Sequence, residues 1–594
     1  MAAVAVAFLA AYPQIDLRVT QERDWHGAYA YIDTDEVAYS AYVNALVDGR
    51  PRRNDPYTGR DDSPEKSQPE SLFSIQFIPA YLVAGAAALL RLETSSAFTL
   101  LMVVGAILST LALFWLIKFL TGDDRIGAAG AIMVLCLGTL VSGQGAIQYL
   151  TRADAAYNYL PFLRRYIPIV PFPLFFVFCG FVWGAVVSEN LRRSITLAVA
   201  GGLVFVALVY SYFFLWTSAI AWLGCLFLVV LIFRPEGWRS ALLKLSGIGG
   251  ISLLALIPYF WLLSHRSKAM DTAQVLLLTH KPDLTRPPEL VGFVTALVLL
   301  VFCFARRNEI RRYPMLFALA CALLPAVVFN QQILTGHSLQ PIHYEQFIAN
   351  YVAALAVIIT IFLVSRRKVV ESTPIRAVYL VALAFASLCW GAIETSMAVH
   401  IYAPYNAGRD EAWVVSKRLN ELYASDLKAG VRAPVVLAVP DLLADDIPTA
   451  TPDAVLWARH MHVFAGVDLE ESKRRFYQLM YYTGTSVDVI RDSLRERDFY
   501  YTVALFGWDR ANFNLTSEPR PVTIEEVDEE IRRFKAFTDN FDLAQAAQPA
   551  LNYLVTDADD EPDLSNLDKW YVRSPAERIG RFNLYKLSLK EAGQ

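Results

Sequence analysis

Cysteine is scarce in this sequence, six in 594 residues, and all six lie inside apolar segments. With none in the polar regions a disulfide framework is excluded, and Cys136, Cys179, Cys225, Cys303, Cys321 and Cys389 read as small packing residues. A surplus of basic charge is missing too: Lys plus Arg number 53 against 57 Asp plus Glu, a formal net charge of -4. Nucleic acid, whose phosphates need a basic face, is not an expected partner. The polar region after Met397 has no Gly-rich phosphate loop and no defensible Ser/His/Asp arrangement, and the sequence shows no conspicuous metal cage. A divalent cation has no clear ligand set, because His343 and Glu345 come nearest and two ligands do not make a site. Charge of either sign is sparse at 19%, while apolar residues make up 55%, above the roughly 45 to 50% of soluble proteins.

That apolar content is gathered into runs near 97–117, 126–143, 168–189, 194–213, 215–233, 246–264, 289–305, 314–330, 345–365 and 376–397. Each is long enough for a helix to satisfy its own backbone across the hydrocarbon of a bilayer. The apolar run 2–12 is too short to span alone, lacks the basic n-region of a signal peptide, and reads as part of a longer helix cut short. A further stretch, 72–90, carries Pro79 and is expected to lie beside the membrane rather than cross it. The expectation is a polytopic α-helical membrane protein of about 11 to 12 spans with a C-terminal soluble α/β domain. Its divisions fall at 1–96, 97–397 and 398–594.

Short cytoplasmic loops are enriched in Lys and Arg. Lys118 and Arg125, Arg192-Arg193, Arg234 with Arg239 and Lys244, Arg306-Arg307 with Arg311-Arg312, and Arg366-Arg367-Lys368 alternate with loops almost free of both. The alternation puts the basic loops in the cytoplasm of a cell whose inner membrane holds the chain, and puts the first loop and the C-terminal domain outside.

The first loop contains Asp33-Thr34-Asp35-Glu36 ahead of an amphipathic helix, 34–47, that carries Tyr39 and Tyr42. Acidic residues in a first helical turn are ordinary partners of the helix dipole. A carboxylate placed shortly after a first membrane helix can also take a proton from an acceptor hydroxyl, the work of a general base. The Asp-Glu pair ahead of Tyr39, the acidic first loop, the following juxtamembrane helix, the many spans and the soluble C-terminal domain resemble the GT-C class of membrane glycosyltransferases, such as the protein O-mannosyltransferases and aminoarabinose transferases. The resemblance implies transfer of a sugar from a polyprenyl-phosphate donor to an acceptor at the outer face, with Asp35 as base and Asp33 and Glu36 as rivals. The chain departs from the oligosaccharyltransferases of that class in having no tryptophan-aspartate-rich signature in its C-terminal domain.

Two other clusters are candidates for holding the donor phosphate or sugar. One is the outside junction with His337, Gln340, His343 and Glu345, where polar groups at membrane depth need a reason. The other is the loop 148–168 with Arg152, Asp154, Arg164 and Arg165, basic although it is placed outside, where guanidinium groups offer bidentate donors to phosphate. Tyr212, in a tight turn between spans, reads as part of an aromatic belt. In the C-terminal domain the runs 435–439, 500–506 and 553–555 read as buried strands, 411–425 and 469–482 as helices, and Asn514-Leu515-Thr516 as a sequon. His460 and His462 read as surface or core detail, and the domain as a shaper of the acceptor side. A glycolipid transporter and an envelope assembly protein are the alternative functions; the first lacks the internal repeats it would need.

Overall fold

The structure, a computed structural model, describes residues 1–152, 160–305, 313–365, 373–513 and 520–591. The basic loops at 306–312 and 366–368, Asp154 and the 514–516 sequon fall outside the described residues. Ten helices among the described residues are long and apolar enough to cross a membrane. Pro171–Val187, with 17 residues and so about 25 Å long, is an eleventh at the lower limit for a span. The chain is an integral membrane protein whose spans match the apolar runs of the sequence.

The N-terminal helix corrects the sequence reading. Ala2–Gln21 has 20 residues and continues through Pro13, giving about 30 Å, enough to cross. The run looked short because Gln14, Asp16 and Arg18 interrupt the apolar pattern in its second half. The span ends are set by local chemistry: Asp123 and Asn190 cap Asp124–Ser142 and Leu191–Val209, and Gly122 and Gly143 end helices in the left-handed conformation. Close packing depends on small residues. A Cβ on Gly180 would fall 2.1 Å from Trp115, and one on Gly138 would fall 2.4 Å from Tyr351.

The stretch 72–90 forms a single turn, Leu72–Ile75, and a helix, Ile78–Leu90. At 13 residues the helix measures about 20 Å and cannot cross. Both of its ends also meet the same face of the molecule. Ile78 N donates to Tyr210 O, while just beyond the far end Thr94 Oγ1 donates to Asn44 Oδ1 and Ser95 Oγ to Gly27 O.

The last long helix, Thr373–Lys428, runs unbroken for 56 residues through the composition change at Met397 and carries the chain into the C-terminal domain. There a mixed sheet is ordered Ala454–Val455, Val435–Ala438, Tyr553–Asp557, Phe582–Leu589, Tyr571–Arg573, with Glu577–Ile579 also on Phe582–Leu589. Val435–Ala438 is parallel to both neighbours, with Leu437 opposite Leu554, and the remaining pairings are antiparallel. Residues 500–506 are helix rather than strand: Phe499–Phe506 starts where the Asp498 carboxylate accepts from Tyr501 N and stops at Gly507. A short apolar run has no periodicity to separate strand from buried helix, and the cap decides.

First loop and C-terminal domain are locked together. The Asp410 carboxylate accepts the backbone N–H groups of His26, Gly27 and Ala28 at 2.8, 3.1 and 2.9 Å. Buried Arg409 forks onto Asp446 and lies over the rings of Tyr29 and Tyr31. Arg60 reaches Glu471 at 2.6 Å, and Tyr57 O accepts from Val455 N.

Candidate active site

These contacts bring Asp33 and Asp35 to the mouth of a cavity of about 540 Å³ between the membrane helices and the C-terminal domain. Asp33, Thr34 and Asp35 form the turn that opens the helix Glu36–Val47, with Glu36 N bonded to Asp33 O and Val37 N to Thr34 O. Asp35 occupies the N-cap position but its side chain caps nothing, so the carboxylate is left for the cavity, with 42% of the side chain exposed.

Arg164 links the two acids. Its Nη2 donates to Asp35 Oδ2 at 2.5 Å and to the Tyr39 hydroxyl at 3.2 Å, and its Nε lies 3.1 Å from Asp33 Oδ2. Its guanidinium packs over Tyr39 and Phe347. The other oxygen of Asp35 faces His460 Nε2 at 3.6 Å. His460 is held from behind by Asp445, which accepts its backbone N–H at 3.2 Å and meets its Nδ1 at 3.1 Å. Arg459 Nε lies 3.5 Å from the same carboxylate. Opposite, Tyr212 OH contacts His343 Nδ1 at 3.3 Å, and Gln340, Gln346, Gln274, Asn512 and Trp508 complete the wall.

Burial alone would raise the pKa of Asp35, but the facing His460 ring and the charges of Arg164 and Arg459 hold it well below the usual carboxylate range. Asp33 goes the other way: burial and the neighbouring Asp35 charge raise it despite Arg164. Burial disfavours the imidazolium of His460, yet Asp445 and Asp35 more than offset this and raise its pKa. His462, buried beside His460, is pushed down to about 3.

Four donor atoms on cavity residues, Arg164 Nε and Nη1, Arg459 Nε and Trp508 Nε1, are buried without a hydrogen-bond partner among the described residues, as is the ring nitrogen His460 Nε2. Buried donors are nearly always satisfied, so four at one cavity ask for an acceptor-rich ligand. Among the described residues no group of three His, Cys, Asp or Glu side chains is placed to hold a metal ion.

Of the candidates read from the sequence, Asp33, Asp35, Arg164, Gln340 and His343 line this cavity. The others lie elsewhere. Glu36 is fully buried behind Asp35, 2.7 Å from the equally buried Arg165, whose Nε donates to Phe98 O. Glu345 pairs with Arg286 at 3.0 Å. His337 is exposed with Nδ1 against Thr335 O, and Arg152 is exposed at the end of Ala146–Arg152. The sequence reading missed Tyr212, Arg459, His460 and Trp508. Their one local signal was polar or ionisable side chains inside apolar stretches, as in Arg459-His460 within 454–467.

No protein-family model and no curated protein matches the sequence. Among solved structures the chain is similar to an archaeal oligosaccharyltransferase and to a bacterial ArnT. One is the Archaeoglobus fulgidus oligosaccharyltransferase tethered to an acceptor peptide, at 12% identity over 99% of this chain and 74% of that one, TM-score 0.47. The other is ArnT from Cupriavidus metallidurans bound to undecaprenyl phosphate, at 12% identity over 98% of this chain and 97% of that one, TM-score 0.42. Neither likeness identifies the reaction.

Proposed function

We propose that this chain is a membrane glycosyltransferase that moves a sugar from a polyprenyl-phosphate donor to an acceptor hydroxyl at the outer face of the inner membrane. The observation that carries the reading is the cavity itself: two carboxylates facing Arg164, Arg459 and His460, with unpaired donors, where membrane helices meet the soluble domain. Guanidinium groups suit a phosphate leaving group, and a carboxylate suits removal of the acceptor proton. When an anionic phosphate draws Arg164 and Arg459 toward itself, the restraint that keeps Asp35 a weak base is relieved. Asp35 is the base in this scheme, Asp33 its partner through Arg164, and His343 with Gln340 the contacts to phosphate and sugar.

A second feature supports a lipid-linked donor. An apolar groove of about 720 Å³ lies between Ile78–Leu90, Thr94–Thr121 and Pro171–Val187. Ile169 lines it, while Ile167 lines the polar cavity, so a polyprenyl chain in the groove would bring its phosphate to the site. The outward orientation rests on Lys118, Arg125, Arg192, Arg193, Arg234 and Lys244, all at the opposite ends of the spans.

The test is release of polyprenyl phosphate from labelled polyprenyl-phosphate hexoses and pentoses by vesicles carrying the purified protein, with a cell-envelope fraction as acceptor. Native protein should release it and Asp35→Asn should not. Equal release by both, or movement of intact donor across the bilayer without release, would overturn the reading in favour of another base or of a transporter. Orientation is tested by labelling exposed Ser67→Cys and Ser425→Cys in intact cells with an impermeant thiol reagent. Both should react; protection of either rejects the topology.

A further inference from the structure

His460 lies 425 residues from Asp35 in the chain, yet it joins the first-loop acid to a second carboxylate in a line, Asp445 to His460 to Asp35. Asp445 is buried, and although burial raises its pKa, His460 and Arg459 hold it below the ordinary value, so it is an ionised acceptor. An ionised carboxylate accepts only, which puts a proton on His460 Nδ1 and leaves Nε2 as the atom that changes state. That atom is buried, has no hydrogen-bond partner and faces Asp35 Oδ1 at 3.6 Å. Asp35 Oδ1 and an unprotonated Nε2 are thus two acceptors placed to share one incoming proton. The backbone N–H of His460 on Asp445 Oδ1 and the stacking of Trp508 at 5.9 Å fix the ring's plane.

Resting on the transfer reading above, we propose that His460, oriented by Asp445, is the positioning residue that receives from Asp35 the proton removed from the acceptor hydroxyl. In the step, the acceptor O–H bond breaks as its oxygen bonds the sugar's anomeric carbon. The bond from that carbon to phosphate oxygen breaks with its electron pair leaving on the phosphate. The proton passes through the Asp35 carboxylate to Nε2 of neutral His460. An imidazolium already charged cannot accept it, so transfer falls below the pH at which His460 protonates.

Besides Asp35 and Asp445, the charged and titratable groups around this ring are Arg459 beside it, His462 two residues on, Asp446 with Arg409 behind Asp445, and Arg164 with Asp33 across the cavity. The carboxylates raise the pKa of the imidazole and Arg459 lowers it, so removing either contacting carboxylate should move its titration down.

Two readouts on the full-length chain test this. In vesicles with a polyprenyl-phosphate sugar, His460→Gln should lower kcat about 10²-fold with KM unchanged, and move the acid limb of the kcat profile to lower pH. Asp445→Asn should move that limb down by about one pH unit. In detergent, ¹⁵N-histidine NMR of the native chain should show a His460 signal, identified by its loss in His460→Gln, whose midpoint falls in both Asp35→Asn and Asp445→Asn. A pH profile indifferent to His460→Gln, or a His460 midpoint indifferent to Asp35→Asn, overturns the relay while leaving transfer standing. If the native chain transfers no sugar but the NMR coupling is present, the transfer reading fails and the shared proton remains.

Discussion

Two layers of ion pairs stand back to back at the junction of membrane and soluble domain, built from adjacent residues. Asp35 and Arg164 face the cavity, while Glu36 and Arg165, one residue further along each segment, pair with both side chains at 0% exposure. Asp445 and Asp446 divide by partner instead: both carboxylates are buried, but the first holds His460 at the site and the second holds Arg409 in the core. Charge sign is the same in both layers, and Asp35 with Glu36, Arg164 with Arg165 and Asp445 with Asp446 are neighbours in the sequence. What differs is access: a buried pair is costly to break and does no chemistry, whereas a pair open to a cavity can trade its partner for a ligand.

The comparison is broken most severely by attacking the inner layer. Arg165→Ala leaves Glu36 charged and unpaired in the core, and the expected loss of stability is about 3–5 kcal/mol, read as lowered thermal midpoint and faster proteolysis in detergent. Arg409→Ala, which strands Asp446, should behave alike. Asp35→Asn is the contrasting change. Transfer should fall about 10²–10⁴-fold, while the melting midpoint shifts little, because an acid with 42% of its side chain exposed has its ion pair weakened by solvent. Smaller again is Arg164→Lys, which keeps the charge and loses the fork. Donor KM is expected to rise about tenfold with kcat less affected, measured with the same labelled donors. If Arg164→Lys instead collapses the fold, Arg164 belongs to the inner layer and the division proposed here is wrong.

How much of this was legible follows from the range of each interaction. The spans were, because length and apolarity are local properties. Asp33, Asp35 and Arg164 were legible as acids and arginines out of place. The distinction of Asp35 from Glu36 was not, since it depends on which way a helix start turns against Phe98 and Tyr29. His460 was invisible as a site residue for a stronger reason. Its partners lie 15 and 425 residues away, and the contacts that Asp410, Arg60 and Tyr57 make between the first loop and the C-terminal domain bring the farther one alongside. Tyr212 read as membrane belt because a tight turn between spans has the composition of one; its contact with His343, 131 residues on, is set by helix packing.

The smallest effect is expected at the candidates that belong to neither layer. Arg152 and His337 were singled out for charge and position, yet both are exposed, and the ring of His337 meets Thr335 O, two residues away. Neither lines the cavity. An exposed charge outside the ligand's reach contributes through solvent only, so the double variant Arg152→Ala, His337→Ala should stay within about 0.5 kcal/mol of native stability and leave kcat and donor KM unchanged. A rise in donor KM in that variant would mean that the phosphate approaches along the face carrying these residues rather than from the groove beside Ile169, and the path drawn for the donor lipid would have to be redrawn around them.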